Sequence, residues 1–165
     1  MFAVAPMLAL TLWLTAIAVM DLRGRKVKNW MVLLGLALGL AALFGGVQPL
    51  QVSAWNGLAG MAVAFAALLP FYAMRWMGAG DVKFAAVVGL WFGLSPDLLV
   101  IWLGGSLLAG LHGLVVLARR KWLVGSLQLT LNPQGISRSV PYAGYMAITA
   151  IWVLLRAGPH WATTA

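Results

Sequence analysis

Six stretches of almost uninterrupted apolar residues follow one another along the chain, and they limit its possible folds more than any other feature. A helix needs roughly 20 apolar residues to cross the hydrocarbon of a bilayer, and several of the stretches approach that length. Only helices or closed barrels satisfy their backbone polar groups in lipid, and the alternation typical of strands is absent. The sequence therefore predicts an all-α, polytopic membrane protein built as a six-transmembrane-helix bundle. The predicted helices run from Val4 to Met20, Asn29 to Phe44, Ala54 to Ala73, Val82 to Leu94, Leu98 to Ala118 and Val140 to Leu155.

The composition agrees with this class. Of the 165 residues, 63% are hydrophobic and only 8% are charged, whereas about a quarter of the residues in soluble domains are charged. The chain has no cysteine, which excludes disulfides, thiolate metal sites and a cysteine nucleophile. No metal site and no cofactor is predicted. Met1 to Pro6 carries no Lys or Arg, so the first stretch is expected to be a transmembrane helix and not a cleaved signal. Without an internal repeat or linker, residues 1–165 are expected to form one integral-membrane domain.

The basic residues predict the orientation of the bundle. Ten of the eleven Lys and Arg residues lie in or beside the connections after the first, third and fifth stretches. The positive-inside rule places these connections in the cytoplasm and both termini on the non-cytoplasmic side. The net charge of +8 is thereby explained by topology and by anionic lipid headgroups, so no nucleic-acid partner is predicted. The same rule places Asp21 and Asp81 at the cytoplasmic face and Asp97 at the opposite face.

Asp81 stands in the polar segment Gly78-Ala79-Gly80-Asp81-Val82-Lys83 and is one of only three acidic residues. A carboxylate at membrane depth is costly, which favours a functional role, with Asp21 as its natural partner. Two carboxyl groups close together in a poorly solvated site do not both ionise easily, so one serves as base and the other as acid. Gly78 and Gly80 are expected to allow unusual backbone angles and to let a substrate strand approach Asp81.

Purely structural interpretations of the same residues are also open. Asp21 and Asp81 would then be helix-end residues paired with neighbouring cations, and this is the interpretation preferred for Asp97, as a helix cap. Lys83 either steadies the charge of Asp81 or binds a substrate carbonyl, or else extends to the headgroups. Asn29 either caps the second helix or orients an aspartate.

Several small or polar residues predict contacts between helices. Gly35 and Gly39 on the second helix, and the glycine-rich fifth helix, are expected to give close packing. Those glycines of the fifth helix are Gly104, Gly105, Gly110 and Gly113. His112 is expected to make an interhelical hydrogen bond, in preference to a proton relay or a metal site. Leu123 to Leu131 is predicted to lie on the membrane surface, and Asn132 to Gly135 to form a turn.

Asp21-Leu22-Arg23, then Asn29 after a basic loop, then Gly78-Ala79-Gly80-Asp81-Val82-Lys83-Phe84 together resemble the type IV prepilin peptidase family of membrane aspartic peptidases. The small size resembles the short Flp/Tad-pilus branch. The resemblance implies that Asp21 and Asp81 are the catalytic residues of an endopeptidase that removes a short basic leader from pilin or pseudopilin precursors. It also implies an active site at the cytoplasmic face of the inner (cytoplasmic) membrane, a pilin precursor as substrate and Lys83 as companion of Asp81.

The chain departs from the family pattern at two positions and in its extent. Lys28 stands where a proline often precedes the asparagine, and the Pro-Tyr-Gly pattern near the sixth helix appears as Pro141-Tyr142-Ala143-Gly144, with an additional alanine. Larger members carry a cysteine-containing domain and methylate the new pilin N-terminus, so this chain is expected to lack methyltransferase activity. The alternatives left open are a small proton-coupled transporter, a non-catalytic pilin assembly factor, and a peptidase for another membrane substrate.

Overall fold

The computed structural model describes residues 4–124 and 140–156, and this part of the chain is entirely helical outside its connections. The six helices are α1 (Val4–Gly24), α2 (Asn29–Phe44), α3 (Ala54–Ala73), α4 (Ala79–Phe92), α5 (Pro96–Val124) and α6 (Tyr142–Arg156). The predictions for α2 and α3 are confirmed at both ends. The expected surface segment beyond Val124 and the expected turn at Asn132 to Gly135 lie outside the described residues.

Helix α4 forms the centre of the bundle. Every residue from Phe84 to Phe92 is buried, because this helix is apolar on all sides and must be enclosed by protein. Helix α3 packs along one side of α4, and α2 and α6 also contact it. Helix α6 in turn packs between α1 and α5. The first residues of α4 and the first residues of α6 therefore lie near one another.

Glycines bring several of these helices together. Gly60 on α3 and Gly89 on α4 approach so closely that a Cβ atom on either would overlap the backbone of the other. Gly35 and Gly39 also permit close packing, as predicted. The indole ring of Trp13 fills the space at Gly35, and Leu90 and the indole ring of Trp91 fill the space at Gly39. Trp13 Nε1 donates to the carbonyl oxygen of Met31 at 2.8 Å, so the buried indole N–H has a hydrogen-bond acceptor on α2.

Helix α5 meets the expectation only in part. A Cβ atom at Gly104 would meet Thr149, and one at Gly105 would lie 3.0 Å from the Cα atom of Met146, so both glycines permit close packing on α6. At Gly110 nothing lies within 4 Å, and at Gly113 the nearest atom is 3.9 Å away. The prediction of close packing is therefore wrong for the last two, since nothing among the described residues presses against either glycine.

His112 makes the interhelical contact that was predicted. Its Nδ1 atom lies 2.8 Å from the hydroxyl of Tyr145 on α6.

Three of the described helices, α1, α3 and α5, contain segments long and apolar enough to cross a membrane. Helices α2 and α6 are apolar but shorter, with 16 and 15 residues. The outer face of α5 bears leucines that are largely exposed, among them Leu103 at 72% and Leu107 at 74%. An apolar surface of this kind is suited to lipid contact.

The remaining helix ends differ from the predicted ones, for local reasons. Helix α1 extends to Gly24 and stops where Arg25 adopts a left-handed conformation with φ 50°, a common helix terminator. Helix α4 begins three residues earlier than predicted and ends before Gly93, with φ 65°. Helix α5 continues to Val124, since the basic cluster from Arg119 to Lys121 consists of good helix formers.

Candidate active site

Asp21 lies in the last turn of α1, on the face that is buried against the bundle. Leu10, Leu14 and Ile17 are fully buried, and Asp21 is only 3% exposed. Their spacing of four, three and four residues places all four on one side of a helix. Asp21 thus follows a stripe of apolar residues on one face of α1. The packing of that face against the bundle places its carboxylate in the interior.

Asp81 is the third residue of α4 and is partly exposed. Its Oδ2 atom accepts a hydrogen bond from the N–H of Gly78 at 3.3 Å. A carboxylate in this position satisfies a free amide at the start of the helix and interacts favourably with the helix dipole. Asp81 therefore has part of the role that the purely structural interpretation assigned to it, through one of its two oxygen atoms.

The first turn of α6 connects the two aspartates. The N–H of Gly144 donates to Asp21 Oδ2 at 2.7 Å, and the N–H of Ala143 donates to Asp81 Oδ1 at 3.3 Å. The backbone bond from Tyr145 to the carbonyl of Pro141 starts the helix, so the amides of residues 143 and 144 have no acceptor within it. Two consecutive amides thus hold one carboxylate each, which brings both side chains to the same turn of α6.

Gly144 has little room for a side chain beside Asp21. A Cβ atom there would lie 3.3 Å from Asp21 Oδ2 and 3.2 Å from Leu22 Cγ. Both contacts are tighter than usual, so a side chain would press on the carboxylate that the Gly144 amide binds. The additional alanine before Gly144 does not displace it from the site, since Ala143 is itself fully buried and uses its own amide for Asp81.

Two pockets meet at Asp81, and both include Gly78 and Val140. The first, which we call the basic pocket, has a volume of about 340 Å³. Its other lining residues are Asp21, Arg25, Lys26, Val27 and Gly80. The second, which we call the apolar pocket, has a volume of about 350 Å³. Its other lining residues are Trp76, Met77, Ala109, Gly110, Gly113 and Tyr142.

Gly78 and Gly80 line these pockets, but the prediction of unusual backbone angles is wrong. Gly78 has φ −74° and ψ 148°, which any residue can adopt, and Gly80 lies within α4 without a positive φ. A Cβ atom at Gly78 would lie 3.2 Å from Asp81 Oδ2. The glycine at position 78 therefore leaves room for the carboxylate that folds back over it.

Lys83 and Asn29 are brought together by the fold. Lys83 Nζ donates to Asn29 Oδ1 at 3.5 Å, and both side chains are exposed. This weak hydrogen bond joins the first turn of α2 to the start of α4.

Asp97 lies at the other end of the bundle. It shares a pocket with Arg156, the last residue of α6, whereas Ala143 and Gly144 begin that helix. A helix of 15 residues is about 22 Å long, which separates Asp97 from Asp21 and Asp81. The predicted cap is wrong in detail, because Ser95 Oγ accepts the hydrogen bond from the amide of Leu98.

The site also contains residues that the sequence interpretation did not select. These are the amides of Ala143 and Gly144, and Tyr142, whose hydroxyl lies 3.2 Å from Ser106 Oγ. One signal was available for the amides: Pro141 precedes two small residues at a helix start, where backbone N–H groups are free to bind carboxylates. Nothing in the local sequence pairs Tyr142 with Ser106.

Chemically, the arrangement is a pair of carboxylates that both line the basic pocket, one of which also borders the apolar pocket. Within residues 4–124 and 140–156 no three His, Asp or Glu side chains are grouped so that they could hold a metal ion. Asp81 borders both pockets, whereas Asp21 lines the basic pocket only, and both carboxyl groups are suited to acid and base chemistry.

No curated protein and no solved structure matches the chain. A family model described as the type IV leader peptidase family matches residues 8–114, which is more than half of the chain. The matched region includes both aspartates and extends from α1 into α5. The chain therefore belongs to the type IV leader peptidase family.

Proposed function

We propose that this protein is a prepilin-type aspartic endopeptidase in which Asp21 and Asp81 activate water as an acid and base pair. Family membership implies a peptidase of the membrane that processes prepilin-type proteins. The observation that carries the finer proposal is that consecutive amides, at Ala143 and Gly144, hold the two carboxylates at the edge of one pocket. Cleavage would remove the short leader from a pilin or pseudopilin precursor, without methyltransferase activity.

The reaction needs only these two carboxyl groups and one water molecule. The ionised carboxylate takes a proton from water while the oxygen attacks the carbonyl carbon, and the protonated carboxyl donates to the carbonyl oxygen. Collapse of the tetrahedral intermediate breaks the C–N bond, and the proton that the base received passes to the leaving nitrogen. The carbonyl oxygen returns its proton, so the carboxyl pair ends with the single proton it began with.

The remaining site residues support this pair in our proposal. Gly78 donates its amide to Asp81 and leaves space for the carboxylate, while Gly80 keeps the basic pocket open beside it. Lys83 and Asn29 tie α4 to α2 next to the site. The chemistry is proposed to take place at the cytoplasmic face of the inner membrane, with six helices crossing the bilayer and both termini outside.

A cleavage assay tests the proposal. Purified protein in lipid nanodiscs is incubated with a pilin precursor that carries its leader, and the products are identified by mass spectrometry. We expect Asp21→Asn and Asp81→Asn each to lower kcat/KM by about 1,000-fold or more, because each removes one partner of the acid and base pair. Asp97→Asn is the matched control, since it makes the same change at the far end of the bundle.

The outcomes separate the proposal from its alternatives. Equal activity in all four proteins would show that Asp21 and Asp81 are not catalytic. Failure of the wild-type protein to cut precursors that it binds would favour a non-catalytic assembly factor. Proton flux into proteoliposomes that is lost in the two variants, with no cleavage, would favour the transporter.

A further inference from the structure

Helix packing does not explain the glycine at position 110 of α5, which lies near Asp81. Gly104 and Gly105 are glycines because α6 packs against them, yet a Cβ atom at Gly110 would meet nothing within 4 Å. A glycine inside a helix costs about 1 kcal/mol relative to alanine, and no neighbour among the described residues requires it here. What Gly110 does border is the apolar pocket, together with Asp81.

Resting on the proposed peptidase function, we infer that the apolar pocket binds the side chain of the substrate residue that directly follows the cleaved bond. Gly110 then sets the size of the side chain that the enzyme accepts. The two pockets share Gly78, Asp81 and Val140. A peptide lying across Asp81 therefore places the residues on either side of the cleaved bond in different pockets.

The direction of the peptide follows from the chemistry of the two pockets. A precursor of the proposed kind has a basic leader before the cut and an apolar segment after it, and the apolar segment decides the direction. Apolar side chains suit the pocket lined by Trp76, Met77 and Ala109. The reverse direction would place them against Arg25 and Lys26, and burying charged groups against apolar side chains is costly.

The arrangement of helices offers a path from the lipid to this pocket. Within the described residues, no Cα atom of α3 lies within 8 Å of one on α5. Trp76, which follows α3, is 72% exposed. The wall formed by Gly110 and Gly113 lies on α5, a helix long and apolar enough to cross the bilayer. An apolar substrate segment can therefore approach from the bilayer between α3 and α5.

The volume suits a single side chain. About 350 Å³ is at the lower end of the range for small-molecule pockets. Because a Cβ atom at Gly110 meets nothing within 4 Å among the described residues, Gly110→Leu adds its side chain at an uncrowded position beside the pocket. The substitution should change which substrates fit while leaving the fold intact.

The test uses two precursors that differ only in the residue after the cut, Ala in one and Phe in the other. In the wild-type protein both are cleaved. We expect Gly110→Leu to lower kcat/KM for the Phe precursor by about tenfold or more relative to the Ala precursor. Gly24→Leu is the matched control, since a side chain there also meets nothing within 4 Å and Gly24 lines neither pocket. It should leave the ratio for the two precursors unchanged.

A second pair of precursors varies the residue before the cut in the same way. We expect Gly110→Leu to treat these two alike. Two results would overturn the assignment of the apolar pocket. In the first, the loss of kcat/KM depends on the residue before the cut. In the second, the Ala and the Phe precursor lose kcat/KM equally. Cleavage by the wild-type protein in the same experiment keeps the proposed function intact in either case.

A crosslinking experiment needs no turnover, so it covers the case in which the wild-type protein cuts no precursor. A precursor with a photoreactive benzophenone on the residue after the cut is irradiated with the Asp81→Asn variant. We expect the crosslink at Trp76 or Met77, and a crosslink at Arg25 to Val27 overturns the assignment. If the wild-type protein cuts no precursor but the crosslink forms at Met77, the pocket assignment stands and the peptidase proposal fails.

Discussion

The two aspartates differ in how the fold holds them. Asp21 is 3% exposed and accepts one short hydrogen bond, 2.7 Å long, from the amide of Gly144. Asp81 is partly exposed, divides its two oxygen atoms between two longer bonds of 3.3 Å, and borders both pockets. Asp21 is thus fixed by its surroundings, whereas Asp81 is open to a substrate. In the proposed acid and base pair, a rigid member is thus combined with an accessible one.

The largest effect is expected when Asp21, the more rigid aspartate, is displaced by a substitution at Gly144, whose amide binds it. Gly144→Val should lower kcat/KM for precursor cleavage by about 100-fold, because the new side chain pushes Asp21 from its position. Steady-state cleavage in nanodiscs measures the effect, and a melting curve checks the fold. Gly24→Val, which meets no neighbour, should retain activity. An active Gly144→Val enzyme would contradict the view that Asp21 must be held rigidly.

The second test compares the stability that each carboxylate derives from its hydrogen bonds. Replacement by Asn keeps an acceptor for the amides, whereas replacement by Ala removes it. For residue 21 we expect the free energy of unfolding of the Ala variant to be about 1–3 kcal/mol lower than that of the Asn variant, because the buried Gly144 amide loses its partner. For residue 81 the difference should be about 0.3–1 kcal/mol, as for a charge at a helix start.

Unfolding in mixed detergent micelles gives both differences under one condition. Equal values for positions 21 and 81 would remove the contrast between a fixed and an accessible aspartate.

The surroundings of Asp81 can be changed with a smaller effect. Tyr142→Phe should lower kcat/KM by about threefold, because it removes the hydrogen bond to Ser106 that positions the ring in the apolar pocket. Ser106→Ala should have the same effect, and the double variant should be no worse than either single one. A loss in Tyr142→Phe alone would point to a direct role for the Tyr142 hydroxyl.

The smallest effect is expected at Lys83. Its exposed contact with Asn29 is 3.5 Å long, and exposed polar contacts contribute little. Lys83→Met and Asn29→Ala should each lower kcat/KM by about twofold or less in the same assay. A loss of about tenfold or more confined to Lys83→Met would place the ammonium group in the chemistry of Asp81 and not in the link between helices.

Much of the helical framework could be predicted from local sequence. The bounds of α2 and α3 follow from continuous apolar runs ended by glycine and polar residues. The ends of α1, α4, α5 and α6 were misplaced by one to a few residues, because charged side chains such as Arg23 and Asp81 continue a helix as readily as they end one. The six-helix topology and the orientation of the termini stay predictions.

For the site, the chemistry of the residues was accessible and their contacts were not. Asp21 and Asp81 stand out because carboxylates are so rare in this chain. That Asp81 partly caps its own helix, and that Gly78 provides room without an unusual φ, depends on the position of a helix start that the sequence placed three residues too late.

By itself, the sequence determined that this chain is a helical membrane protein with two carboxylates at one end of its bundle. Hydrophobicity and charge decide this, since they act residue by residue. Only the tertiary structure decided how the carboxylates are held, because amides of Ala143 and Gly144 reach them across 62 and 123 residues of chain. Hydrogen bonds between distant segments depend on the packing of α6 between α1 and α5, and no local pattern encodes that packing.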